Sequence, residues 1–147
     1  ALTSGMTLIL ANEIEQNNSE SLNKVCLENG ATMIQTTPSR FKALLENPSI
    51  DGIFASSDAV AIAAIKIIQS LNKQVPRDIQ AVGFDGIELG KMISPELTTV
   101  CQDIYQIGQY ATKMLIEQIE GKPLKNQTIV VETNLIIRGT TRREPKK

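Results

Sequence analysis

The chain has 147 residues, 41% of them apolar and 21% charged, with a formal net charge of −1. That is about one soluble domain's worth of sequence, long enough to bury a core. A charge this close to zero argues against a broad nucleic-acid surface on these residues. The absence of histidine removes Ser-His-Asp and Cys-His nucleophiles and most catalytic zinc sites.

Met6 to Ala11 is an apolar run broken by Asn12, and it reads as a first parallel strand with Asn12 and Glu13 at its carboxyl end. Neither a basic head nor a cleavage pattern is visible there, and no apolar run is long enough to span a bilayer, so a cytoplasmic protein is expected. Asn18 to Asn29 carries Leu22, Val25, Cys26 and Leu27 at helical spacing and closes on Gly30. Ala31 to Gln35 is a second strand. Thr36-Thr37-Pro38 then leads into a helix through Phe41, Leu44 and Leu45 that stops at Asn47-Pro48. Cys26 and Cys101 are expected to be reduced packing residues.

Ile50 to Ala55 is a short apolar run delivered into Ser56-Ser57-Asp58, any of which suits a helix N-terminus. From Ala59 to Leu71 almost every face is apolar, with Lys66, Gln69 and Ser70 on a narrow wet side, which predicts a largely buried helix. Asn72 tolerates the left-handed conformation that ends a helix, and Pro76 forbids continuation. Ile79 to Phe84 is the next buried strand, ending at Asp85. Strands joined by helical crossovers lie parallel, so the expected fold is α/β, a parallel sheet flanked by helices.

Gly86 to Ser94 reads as a turn with a short helical piece, and Leu97 to Cys101 as a β-branched strand. Asp103 is a candidate cap for a helix striped by Ile104, Ile107, Ala111, Met114, Leu115 and Ile119 through to Gly121. That stripe packs either on this same sheet or in a second lobe reached through Leu97 to Cys101. Gln127 to Ile137 is the last strand, and Arg138-Gly139-Thr140-Thr141 opens a basic tail expected to be solvated and frayed.

In open parallel sheets ligands bind beyond the carboxyl ends of the strands. The polar residues expected at that rim are Asn12, Thr36, Thr37, Ser56, Ser57, Asp58 and Asp85, a mixture of acceptors and donors that suits a polyhydroxyl ligand. The plain alternatives are a helix cap for Asp58 and a turn residue for Asp85, Asp-Gly being a strong turn dipeptide. Neither GxGxxG nor GxxxxGK[ST] occurs. A competing reading takes Asp58 or Asp85, with Asn12-Glu13 nearby, as a phosphoacceptor or a magnesium site for phosphoryl transfer. An extracellular sugar-binding protein of the same fold is a third. No cofactor and no resident metal are expected.

Several pieces taken together resemble the effector-binding core of the LacI/GalR transcriptional regulators. They are Ser57-Asp58 with Ala61, Val75-Pro76-Arg77-Asp78-Ile79, Val82-Gly83-Phe84-Asp85, Pro95-Glu96-Leu97-Thr98-Thr99-Val100, Gly108, and Arg138-Gly139-Thr140-Thr141. The set spans about residues 50 to 143, and residues 6 to 49 fit more loosely. The resemblance implies a two-lobed, periplasmic-binding-protein-like fold with a small effector, a sugar or related metabolite, held between lobes. It also implies a homodimer that reads operator DNA through a separate N-terminal helix-turn-helix absent from these residues. Residues 1–98 would form the C-terminal lobe, 99–132 the crossover and part of the N-terminal lobe with its helix at 103–120, and 133–147 a return strand and basic tail. Asp85, Ser57, Asn12 and Thr37 would contact the effector, and Asp58 would cap its helix. The sequence departs from the family at several of its usual places. An Arg common early in the first helix of this lobe would fall near Asn18, the family's Asn is Ser57, and a Gly is Ala63. An aromatic residue of the family would fall near Thr36-Thr37.

Overall fold

The computed structural model of the chain describes residues 18–31, 41, 44–45, 50–123 and 128–142. The strands expected at Met6–Ala11 and Ala31–Gln35 and the helix stop at Asn47-Pro48 lie outside the described residues, wholly or in their greater part. Helix α1 is Ser19–Glu28, with the Asn18 side chain accepting from the Ser21 amide and Gly30 in the left-handed region.

Strands β1 (Gly52–Phe54), β2 (Gln80–Asp85), β3 (Thr98–Gln102) and β4 (Thr133–Ile136) form one sheet in that order. β1 runs parallel to β2 and β2 parallel to β3, while β4 runs antiparallel to β3. The expected parallel α/β sheet is therefore present, with a reversed strand at one edge. The last strand is shorter than the expected Gln127–Ile137 because its partner is short: Thr133 stands opposite Gln102, where β3 ends, so residues 128–132 find no ladder.

Helix α2 (Asp58–Ser70) is the crossover between β1 and β2, and a short helix α3 (Leu89–Met92) follows β2. Ala61, Ile62, Ala64, Ile65 and Ile68 recur at helical spacing and are buried, whereas Ala59 and Ala63 join Lys66, Gln69 and Ser70 on the exposed side. The wet face is thus wider than the apolar sequence predicts, since alanine tolerates solvent at little cost. The helix buries one cluster with Ala55, Ala81 and Leu97, and another in which Ile68 meets Leu45 and Ile79. Asn72 ends it with a φ of 57°. In the following loop the Arg77 side chain and the Gln74 amide both donate to Asp78, holding its carboxyl below the ordinary aspartate range.

The segment expected to open a frayed tail is instead built into the sheet. Thr140 is fully buried and stands where β2 and β3 diverge. Its backbone accepts from the Ala81 amide at 2.9 Å and donates to the Glu96 carbonyl at 3.0 Å. Its hydroxyl accepts from the Thr98 amide at 2.8 Å and donates to the Ala81 carbonyl at 2.7 Å. The Arg138 guanidinium, with only 11% of its side chain exposed, donates to the Leu97 carbonyl. Gly139 is required by closeness, because a Cβ there would lie 2.9 Å from the Pro95 Cβ.

Thr140→Val keeps the shape but strands the buried Thr98 amide and Ala81 carbonyl, and is expected to cost about 1–3 kcal/mol in urea unfolding. Thr140→Ser keeps the hydroxyl and is expected to cost less than half as much.

Candidate functional site

The parallel order of β1, β2 and β3 brings three chain positions to one lip: Ser57 just after β1, Asp85 at the end of β2 and Gln102 at the end of β3. β2 is the middle strand, so Asp85 has a neighbour on each side. Asn12 and Thr37, the other expected contacts, lie outside the described residues, as does Thr36.

Asp58 is fully buried and faces inward. Its Oδ2 accepts from the Gly86 amide at 2.9 Å and the Ile87 amide at 2.8 Å, and its Oδ1 accepts from the Thr99 hydroxyl at 2.6 Å. The capping role expected of Asp58 is taken by Ser57, whose Oγ accepts from the Val60 amide at 3.3 Å. The reason is local geometry. Ser57 has the extended backbone that a cap needs, while Asp58 is the first helical residue and its side chain points across to β3 and the loop after β2. Acting as acceptor toward Val60 leaves the Ser57 hydroxyl its proton to donate outward.

The loop after β2 is shaped to meet that carboxylate. Asp85 has a φ of 117° and Gly86 a φ of 83°, so two successive residues lie in a region that side chains disfavour. At Gly86 a side chain is also excluded by space, since a Cβ would crowd Cys101. Gly83 is fixed by the other neighbour: a Cβ there would collide with the Asp58 carboxylate and lie 2.9 Å from Leu97. Gly83 is thus fixed by close packing against Asp58, and Gly86 by its positive φ and by Cys101.

Asp85 is half-buried, and its Oδ1 accepts from the Gln102 side-chain amide at 2.9 Å. Among the described residues no donor meets its Oδ2. Asp85 thus combines a disfavoured φ with one carboxylate oxygen that no donor among the described residues meets. Gln102 and Thr99 were missed by sequence reasoning. The signal for Gln102 was available, because the strand-end rule that singles out Asp85 applies equally to the residue closing Leu97 to Cys101.

The phosphoacceptor reading fails at Asp58, which is fully buried with both oxygens engaged by the Gly86 and Ile87 amides and the Thr99 hydroxyl. Among the described residues, no group of three or more acidic, cysteine or histidine side chains is placed to hold a metal ion. No helix among them is long and apolar enough to cross a membrane.

A mostly parallel α/β sheet with a polar lip and an antiparallel return strand defines a periplasmic-binding-protein-like lobe. Residues 9–141 match the family described as periplasmic binding protein-like domain, and the chain belongs to it. Within that family it belongs with the effector-binding domains of LacI/GalR regulators. It is 53% identical over 102 residues to the ribose operon repressor of Halalkalibacterium halodurans, covering 69% of this chain and 31% of that protein. With the transcriptional repressor CytR of Escherichia coli it shares 36% over 93 residues, covering 63% of this chain and 27% of that protein. A LacI family regulator from Arthrobacter sp. FB24, solved in complex with lactose, superposes with a TM-score of 0.62 at 27% identity. That match covers 84% of this chain and 50% of the other. The chain therefore spans about a third or less of the curated relatives it matches. The first two of these relatives are named as repressors and the third as a transcriptional regulator.

Asp58→Ala would leave two loop amides and the Thr99 hydroxyl without their acceptor, an expected loss of about 3 kcal/mol or more in thermal or urea unfolding. Asp58→Asn keeps one acceptor oxygen and is expected to fall between Ala and the parent.

Proposed function

We propose that these residues form the effector-sensing part of a cytoplasmic, sugar-responsive repressor, with a pentose, D-ribose foremost, as the effector. Operator DNA would be read by another part of the full-length protein acting as a homodimer. The observation that carries this is the unused Oδ2 of Asp85 on the common lip with Ser57 and Gln102. A carboxylate oxygen accepts from a sugar hydroxyl, Ser57 donates, and a glutamine amide does either. Charge-assisted hydrogen bonds contribute about 1.5–3 kcal/mol each, so two or three suffice for micromolar binding after ordering costs. Identity of 53% to a ribose operon repressor supports the pentose over a disaccharide. Asn12 and Thr37 complete the proposed contact set.

The division of the chain rests on the same reading. Residues 1–98 are assigned to one lobe, 99–132 to the crossover and part of a second, and 133–147 to the returning strand and the basic tail. Helix α4 (Ile104–Ile119) supports this: none of its residues is buried, and Ile104, Leu115 and Ile119 are 73%, 57% and 77% exposed. An amphipathic helix capped by Asp103 yet bare along its apolar stripe has the character of an element that packs on a surface beyond these residues. Effector bound between lobes would change their angle, and its differential affinity for the two arrangements would set the response of the DNA-binding dimer.

Calorimetry of the full-length protein against pentoses, hexoses and disaccharides tests the reading. Asp85→Ala is expected to weaken pentose binding by about ten- to a hundredfold. Undiminished affinity in that variant would remove Asp85 from the site.

A further inference from the structure

We propose that Asn29 is a site of spontaneous deamidation whose rate is set by the opening of the cap that ends α1. Asn29-Gly30 is the one Asn-Gly pair in the sequence. A glycine leaves the backbone nitrogen that follows an asparagine unshielded, and at Gly30 nothing lies within 4 Å of the place a Cβ would take. Both residues are exposed, so water reaches the groups that react.

The chemistry needs only water. The Gly30 nitrogen, having lost its proton to solvent, attacks Asn29 Cγ; a new N–Cγ bond closes a five-membered imide, and the side-chain nitrogen leaves as ammonia. Water then adds to one of the two imide carbonyls and opens the ring. Breaking the N–Cγ bond leaves aspartate. Breaking the bond from nitrogen to the main-chain carbonyl carbon leaves isoaspartate, in which the chain runs through the former side chain.

The folded cap keeps both reacting groups occupied. The Gly30 amide donates to the Leu27 carbonyl at 3.3 Å and the Ala31 amide to the Cys26 carbonyl at 2.8 Å. These are the paired bonds by which a helix closes on a left-handed residue, here Gly30 at a φ of 61°. The Asn29 side-chain amide donates to the Val25 carbonyl at 2.8 Å, which ties the group under attack back to α1. Asn29 has a ψ of 5°, so the Gly30 nitrogen nearly eclipses the Asn29 nitrogen and is turned away from the side chain. Ring closure therefore waits for the last turn to fray, and fraying of a helix end is among the least costly openings of a fold.

Two Asp-Gly pairs, Asp51-Gly52 and Asp85-Gly86, can form the same imide, but a carboxylate is a poorer electrophile than an amide. At the second pair the Gly86 nitrogen is also held by Asp58 Oδ2 at 2.9 Å, inside the fold rather than at a fraying end. Asn29 is thus the first of these to react. Its product places a negative charge beside Glu28 at the C-terminal end of α1, the end of the helix dipole that disfavours it. Isoaspartate also lengthens the main chain within the cap, so its two backbone bonds lose their register.

The test follows full-length protein in mildly alkaline buffer by peptide mapping and mass spectrometry, with and without urea. In folded protein Asn29 is expected to convert before Asn18, Asn72 and Asn134, and urea is expected to raise its rate by about tenfold or more. Ala31→Pro removes one cap bond and leaves the reacting pair intact. It is expected to raise the folded-state rate about two- to tenfold and to leave the rate in urea unchanged. Equal rates with and without urea, faster conversion at Asn18, Asn72 or Asn134, or an Asn29 that stays an amide in folded parent and variant alike overturns the proposal. If Ala31→Pro does not fold, the parent's rates with and without urea and the order in which its asparagines convert decide.

Discussion

A single buried carboxylate holds the site together. Taking Asp58 out of water costs several kcal/mol, and the cost is offset only because the carboxylate meets two loop amides and the Thr99 hydroxyl. Each of those bonds, being charge-assisted, contributes about 1.5–3 kcal/mol, so three are enough and one would not be. The position of Asp58 at the start of α2 adds the favourable end of the helix dipole. The result joins three elements at one point: the start of α2, the loop after β2 and the middle of β3.

Much of the neighbourhood is dictated by this junction. The helix approaches β2 so closely that only glycine fits at position 83, and the loop amides converge on Oδ2 only if the chain turns through positive φ at residues 85 and 86. Gly86 takes that conformation at no steric cost, whereas Asp85 takes it at some cost. The strain at Asp85 is thus a by-product of the loop being pulled toward Asp58. It also aims the Asp85 carboxylate at the end of the sheet, where Gln102 reaches it. The two aspartates differ in satisfaction: Asp58 is hydrogen-bonded on both oxygens within the protein, Asp85 on one.

The sequence made the crossover unit from Ile50 to Asp85 plain, because its apolar runs, its cap residues and Asn72 all point to the same elements. It located Ser57 and Asp85 at a common lip through topology alone. It did not separate the roles of Ser57 and Asp58, since both types accept from helix amides and only the extended backbone of residue 57 assigns the cap to Ser57. Thr99 was invisible for a different reason: its partner lies 41 residues away, and no local pattern marks a long-range hydrogen bond. Arg138 to Thr141 misled most. A basic, threonine-rich stretch near a terminus has the composition of a frayed end, and only the pairing of Thr140 with both Ala81 and Glu96 reveals it as bound to the sheet.

The two ends of β3 are held very differently, and that asymmetry bears on function. At its start, Thr98 is bound by Thr140, Thr141 and the Arg138 backbone, while the Arg138 side chain grips Leu97 just before it. Near its middle, Thr99 is bound to Asp58. Toward its far end the ladder with β2 stops at Cys101, and Gln102 meets the middle strand through a side chain only. A strand fixed at its base and joined lightly at its tip moves, if it moves, at the tip. The light joint falls at Asp85, and the antiparallel partner β4 pairs with β3 residue for residue from Thr99 to Gln102. Side chains and backbone thus bind β3 at its base, whereas beyond Cys101 one side-chain bond joins its tip to β2.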